Sequence, residues 1–441
     1  MPIASGTGRD RLGGRSHEHA SLEGDAPLGP AALTPPLSPA PAQGWQRNVW
    51  ALSLCVFIAF VGFQFFSPFL PLYIRELGVT DPAQIALWAG LLAAVTPTVS
   101  GLLSPLFGRL ADRFGRKMML IRSLAAFTVI IAAMGLVTSV QQLFVARLLM
   151  GLFAGFTPMA MALASVSAPR DKVSVAIARV QGAQLLSVAV GPLIGGVVAS
   201  HVGIRPAFFV TAVLCAIALV ALIVLFREAR PPEPAEARRK TRSMPLREFL
   251  KVRHFVPVMG LLLVAQFIDR GLGLLIPLHV AHMPGIGAVA ATSGLIISVA
   301  AVGAAASANL VVRLSQAIPV GRVMLVQFLA GAMFCVALAF TSHWVAVLVL
   351  RTLVALSLGG ALTLAYSLGG MIVPAEARGA AFGWLAMGVQ IGTAASPLVT
   401  GAVAASSIPS AYLVNAVLAM GGAALLTFGA RDLLRRREQG S

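Results

Sequence analysis

Charge is what this chain has least of. Only 11% of its 441 residues are Asp, Glu, Lys or Arg, against about a quarter in soluble proteins, which excludes an ordinary soluble domain. Acid is scarcer still, with 16 carboxylates against 33 Lys and Arg. The three cysteines, Cys55, Cys215 and Cys335, all lie in apolar runs with no C-x-x-C pair. That excludes a disulfide framework and a zinc site and makes them small core residues. No Walker loop, Rossmann fingerprint, H-E-x-x-H or G-x-S-x-G elbow is present. ATP hydrolysis and covalent catalysis are therefore not expected, and neither is a metal or organic cofactor. The excess of cations does not read as a nucleic-acid footprint. Basic residues fall in short clusters between apolar runs, with no aromatic-interleaved stripe.

What the chain has in abundance is apolar length: 58% of its residues are hydrophobic. With about 20 residues needed to cross a bilayer, twelve runs qualify: 49–73, 84–107, 118–137, 141–165, 175–199, 205–226, 255–279, 289–312, 323–341, 344–370, 379–403 and 409–430. Residues 1–44, rich in Pro, Gly, Ala and Ser, are expected to be a disordered tail. All but five of the 33 Lys and Arg fall on one side when the N-terminus is placed inside; the five are Arg75, Arg147, Arg205, Arg270 and Arg351. Both termini are thus expected in the cytoplasm, including a basic tail at 431–441.

A proline- and charge-rich stretch at 227–254 divides the runs six and six, as a linker between bundles 45–226 and 255–430 would. The second half also repeats the first at an offset of about 205 residues. Arg147 and Pro192 match Arg351 and Pro397, Pro169 matches Pro374, and Gly191-Pro-Leu-Ile-Gly195 matches Ser396-Pro-Leu-Val-Thr-Gly401. Parallel halves of this kind imply a substrate site between them, near the midplane.

Between the second and third runs, Gly108–Lys117 packs four cations, one carboxylate and two glycines into ten residues. Such a segment cannot lie in hydrocarbon, so a tight loop at the membrane face is expected. Gly108 and Gly115 would allow a sharp turn or a close approach, and Asp112 would cap a helix or hold the flanking arginines. In order, Gly108, Leu110, Asp112, Arg113, Gly115, Arg116 and Lys117 resemble the loop 2–3 signature of the major facilitator superfamily. The resemblance implies an all-α integral membrane fold, twelve transmembrane helices in two six-helix bundles. It also implies that the aspartate and the basic residues latch the two halves in one conformation.

Three further stretches carry the same resemblance. Arg147 in Arg-Leu-Leu-Met-Gly151 is similar to the family's fourth-span motif, whose arginine is implicated in proton transfer, although Met150 departs from the usual glutamine. Snorkelling to the outer interface is the other reading of Arg147, and of its repeat mate Arg351. Gly191, Pro192, Gly195 and Gly196 close a Gly-Pro-x-x-Gly-Gly run that resembles the fifth-span motif of drug:proton antiporters, where it accompanies export. Pro68-Phe-Leu-Pro71-Leu-Tyr73 resembles the first-span end of bacterial multidrug exporters. The acid often found in that span is missing, leaving Gln64 and Ser67 as its polar groups.

Proton coupling needs an ionisable group at membrane depth. Of the sixteen carboxylates only Asp269 falls well inside a run, so it is expected to carry coupling, or else to form an ion pair pinning span seven to another helix. Adjacent Arg270 points about 100° away around a helix and need not be its partner. A polyspecific cavity would be apolar and aromatic with a few polar groups; the candidates are Phe65, Phe66, Gln181, Gln184, Gln266, Tyr366, Trp384 and Gln390, with ordinary packing as the alternative for each. His279 and His282 are expected at the interface. The expectation is a monomeric bacterial inner-membrane transporter, driven by the proton gradient, exporting amphipathic or cationic drug-like molecules. The alternative is a sugar or metabolite exporter or uniporter of the same superfamily.

Overall fold

The computed structural model describes residues 45–65, 69–169, 172–226, 246–373 and 378–434. The expected tail at 1–44, most of the linker, Phe66, Ser67, Pro68 and Pro374 lie outside them. The described residues are helical, with no strand, and include twelve helical stretches long and apolar enough to cross a membrane. The first half comprises α1 (Trp45–Phe65), α2 (Leu70–Glu76), α3 (Pro82–Phe114), α4 (Arg116–Met134), α5 (Val140–Leu152), α6 (Phe156–Ser167), α7 (Val173–Val202) and α8 (Ile204–Leu225). The second comprises α9 (Leu246–Lys251), α10 (Phe255–Ala281), α11 (Val289–Ala317), α12 (Val320–Ala339), α13 (Trp344–Leu358), α14 (Ala361–Met371), α15 (Arg378–Ser406) and α16 (Ile408–Ala424).

Three sequence expectations need correction. The run 49–73 is not one helix: α1 ends at Phe65, and α2 is a separate short helix with proline in its first turn, where a missing N–H costs nothing. Nor is Gly108–Lys117 a loop. Helix α3 continues through it to Phe114, and the chain turns at Gly115 alone, at φ 90° and ψ 148°. Only glycine adopts that backbone readily, and Arg113 in the last turn suits the negative end of the helix dipole. Finally, the fourth and tenth spans are jointed. The fourth breaks between α5 and α6, where Gly155 takes φ 104°, and the tenth breaks between α13 and α14 at Gly359-Gly360.

The crossings alternate, so the start of α1 and the end of α8 share one face, here called the terminal face. There Lys117 Nζ donates to the Phe226 carbonyl at 2.7 Å, and Arg253 pairs with Asp432. On the opposite face Tyr73 Oη donates to the Met134 carbonyl at 2.6 Å. Side chains of Asp81, Ser139 and Ser407 there accept backbone N–H bonds in the first turns of α3, α5 and α16.

Within the first half α1 packs on α7 and α8, and α4 on α8; within the second, α10 packs on α14, α15 and α16. The halves meet along α3–α15 and α7–α11. Small residues make this possible, as expected where helices associate without a hydrophobic drive. A methyl on Gly90 would strike the Pro397 carbonyl, one on Gly196 the Ala290 carbonyl, and one on Gly294 the Pro192 carbonyl. All of these lie toward the opposite face. Further along the same helical faces, at Gly101 on α3, Gly182 on α7 and Gly383 on α15, a methyl would meet nothing within 4 Å. Among the described residues the halves therefore touch at the opposite face and part toward the terminal face.

Candidate functional site

Asp269 lies 14 residues into α10, about 21 Å from its start at 1.5 Å per residue. Arg351 on α13 donates from Nη2 to its Oδ1 at 2.8 Å. The Arg351 side chain is 7% exposed and the Asp269 side chain 55%. The carboxylate thus has one side on its partner and the other open, while the guanidinium is held inside the protein. Adjacent Arg270 is exposed and is not the partner. The snorkelling reading of Arg351 gives way to burial and pairing, which remove the cost of a bare charge at membrane depth.

The repeat gives this pair a counterpart with one member changed. Arg147 on α5 stands where Arg351 stands, at an offset of 204, and at an offset of 205 Gln64 occupies the place of Asp269. The Arg147 carbonyl accepts from Thr96 Oγ1 at 2.8 Å, and a methyl on Gly151 would come within 2.7 Å of Val99 Cβ, so this motif packs α5 onto α3. The acid of the second-half pair has no acidic counterpart at the matching position of the first half.

The fifth-span motif is a packing seam. Gly191 lies against Gln64 and Val61, Gly195 against the Phe65 carbonyl, and Gly196 against α11; Pro192 is buried inside α7. In the second-span motif, Arg116 donates to the Ala162 carbonyl at 3.0 Å and Lys117 to that of Phe226, both within the first half. Arg113 is exposed, its guanidinium 5.3 Å from the Phe114 ring centre. Gly108 and Asp112 fall on α3, with the side chain of Asp112 outside the described residues.

The cavity candidates divide. Phe65 and Gln266 are buried in helix packing and do not line open space, because Phe65 lies under Gly195 and Gln266 faces inward on α10. Gln390 is exposed on the α15 face shared by Gly383 and Gly401, which opens into the gap between the halves. Gln181 is exposed beside Gly182 on α7, and Gln184 is half-buried there. Tyr366 is half-buried, 6.1 Å ring to ring from Phe382, and Trp384 is half-buried on α15.

Sequence reasoning missed Arg122, which counts only as one more flanking cation in the charge pattern. Its Nη2 donates to the Ala154 carbonyl at 3.0 Å, and its guanidinium lies 5.2 and 5.7 Å from the ring centres of Phe107 and Phe153. It thereby covers a backbone carbonyl freed by the joint in the fourth span. At the joint of the tenth span, Gly360 N–H donates to Ser307 Oγ at 2.9 Å, beside buried Gln327.

Comparison with known proteins agrees with this architecture. The model of the Major Facilitator Superfamily matches residues 52–291 and 271–440. The chain is 29% identical over 409 residues to multidrug resistance protein MdtG of Escherichia fergusonii, covering 90% of this chain and 97% of that one. It is 30% identical over 373 residues to MdtG of Salmonella arizonae, covering 82% and 90%. Among solved structures, a bacterial homolog of the human lysosomal transporter Spinster, in an inward-facing and occupied conformation, superposes with a TM-score of 0.72. The two are 17% identical, over 89% of this chain and 98% of that one.

Proposed function

This chain belongs to the Major Facilitator Superfamily, and from that premise we propose that it exports amphipathic drug-like molecules in exchange for protons. Its likeness to MdtG over most of both chains supports export of drugs. The observation that carries the proton half of the reading is the Asp269–Arg351 pair. A carboxylate at membrane depth that is paired on one side and open on the other can exchange a proton and release its partner when neutral. The proton gradient is then the sole energy source, with no bound cofactor.

The mechanism is alternating access. Bundles 45–226 and 255–430, joined by linker 227–254, rock about the gap between them in the bilayer of a bacterial inner membrane, with the terminal face cytoplasmic. The present shape, parted toward that face, admits substrate from the cytoplasm. The latch between the halves at the closed terminal face is assigned, from the motif resemblance, to Gly108, Asp112, Arg113, Gly115, Arg116 and Lys117, with Arg116 and Lys117 leaving their present first-half carbonyls to form it. Proton and substrate favour different states of the Asp269–Arg351 pair, so coupling comes from differential affinity. The unit of transport is the monomer, and nucleic acid has no part in it.

Charge arithmetic refines the substrate. Arg147, Arg270 and Arg351 stand deep in the spans against Asp269 alone, leaving net positive charge there. That favours amphipaths with a neutral or acidic polar end over the cations expected from sequence. The test is uptake into everted vesicles under an imposed pH gradient, comparing acidic dyes, cationic dyes and sugars. Dye movement that collapses with the gradient and disappears in Asp269→Asn supports the reading. Undiminished coupled transport in that variant refutes it, and movement of sugars alone favours a metabolite carrier.

A further inference from the structure

At the terminal face of the second half, two span ends and a short helix enclose a pocket that the transport mechanism does not use. Span seven begins at Phe255 and span twelve ends at Gly429, so the place between them lies level with lipid headgroups. The pocket there measures about 340 Å³, with one wall from the corner between α9 and α10 and the other from residues 428–432.

Buried packing holds that corner in shape. Phe249 on α9 and Phe255 on α10 are fully enclosed and stacked, their ring centres 5.2 Å apart. Between them His254 takes a left-handed backbone at φ 69°, alone among the described non-glycine residues. Such a conformation persists only where its surroundings impose it. Here His254 Nδ1 lies 3.4 Å from the Gly429 carbonyl and Nε2 lies 3.7 Å from the Asp432 carboxylate, which also pairs with Arg253. Helix α9, the start of α10 and the end of the last span are thus tied into one rim.

Two chemistries meet on this rim. Lys251, Arg253 and Arg431 line the pocket against the single carboxylate of Asp432, three cations less one anion even with His254 neutral. All three cations are exposed. On the bilayer side Phe428 is 89% exposed, and Leu250 and Val256 are also open. Phe428 and Val256 belong to the spans themselves. A soluble anion would use the cations alone. A cationic pocket opening onto exposed apolar side chains at headgroup level fits an anion that carries its own hydrocarbon.

We propose that this pocket binds an anionic phospholipid of the terminal-face leaflet, its phosphate held by Lys251, Arg253 and Arg431 and its acyl chains lying over Phe428 and Val256. The bound lipid clamps the start of span seven to the end of span twelve, beside the point where the linker enters the second bundle. Asp269 lies about 21 Å further along α10, so the site stands whether or not that residue couples protons.

The test is native mass spectrometry of the full-length protein in detergent, titrated separately with phosphatidylglycerol and phosphatidylcholine, with glycerol 1-phosphate as the soluble headgroup. The native protein is expected to retain phosphatidylglycerol in preference to phosphatidylcholine, and glycerol 1-phosphate is expected not to displace it. A diazirine-bearing phosphatidylglycerol should crosslink within residues 250–257 or 428–432. Each cation removed should weaken retention about fivefold, so Lys251→Gln with Arg431→Gln should weaken it about thirtyfold and abolish the crosslink. Arg113→Gln, exposed on the same face of the first half, should leave both unchanged. If the double variant does not fold, the two single variants decide, at about fivefold each. Equal retention of the two lipids, native retention in the double variant, or crosslinks spread over other terminal-face cations overturns the site. Displacement by glycerol 1-phosphate reassigns the pocket to a soluble anion and overturns the lipid, as does a native protein that retains no lipid there.

Discussion

Arg351 and Asp269 are 2.8 Å apart, yet one is almost wholly enclosed and the other more than half open. The pair is therefore unequal in what each loss leaves behind. Asp269→Leu strands a buried guanidinium, at a cost of about 3–5 kcal/mol. Arg351→Leu leaves a carboxylate that is already more than half exposed, and the loss should be smaller, about 1 kcal/mol if the open side is hydrated. Thermal unfolding of the two variants in detergent should rank them in that order; equal losses would show that the guanidinium is hydrated.

The repeat predicts a partial transplant. Gln64 holds the position of Asp269 in the first half, where Arg147 replaces Arg351. Placing Gln64→Asp in an Asp269→Asn background should restore a measurable fraction of gradient-driven dye movement. Gln64→Asp alone, tested for stability, checks that the new acid is tolerated against Gly191. A double variant as inactive as Asp269→Asn, in a stable protein, means the first half has lost more than its acid.

Along α7, two glycines should respond oppositely to alanine. At Gly195 the methyl meets the Phe65 carbonyl, and the overpacking should cost about 1–3 kcal/mol. At Gly182 it meets nothing within 4 Å, and the stiffer unfolded chain should add about 0.4–1 kcal/mol. Gly90→Leu, wedged between α3 and α15, should bias the protein toward opening at the opposite face. Maleimide labelling of Ala404→Cys should rise in that background, and the signal will be clean because Cys55, Cys215 and Cys335 are buried.

Arg122 should prove to be a brace for the joint in the fourth span. Arg122→Ala leaves the Ala154 carbonyl without its charged donor and should cost about 1.5–3 kcal/mol. Arg122→Gln, which copies the residue at the repeat position, Gln327, should recover part of that loss. Denaturation in mild detergent distinguishes them; indistinguishable melting of both variants and the parent would assign Arg122 to the surface.

The twelve spans and their six-and-six division were legible because hydrocarbon thickness sets a length that composition must meet. The acid at position 269 stood out for the same reason, as an exception to that composition. Its partner did not, because Arg351 is 82 residues away and only packing of α13 against α10 brings it near. The loop at 108–117 was misread because charge reports that a segment leaves the membrane but not that its helix stops. The joints at Gly155 and Gly359-Gly360 were hidden because glycine is ordinary in membrane helices. Phe65 was misplaced because periodicity cannot tell a helix face turned to a cavity from one turned to a neighbour.

The joints in the fourth and tenth spans stand at matching places, Gly155 and Gly360, each beside a polar side chain at the same offset, Arg122 and Gln327. Their backbones differ: Gly155 is left-handed at φ 104°, whereas Gly359 and Gly360 keep helical angles at φ −59° and −81°. A side chain at position 155 is therefore strained whatever room it finds, while at 360 only crowding by Val311 and Gln327 forbids one, so the same repeat position resists change for different reasons in the two halves.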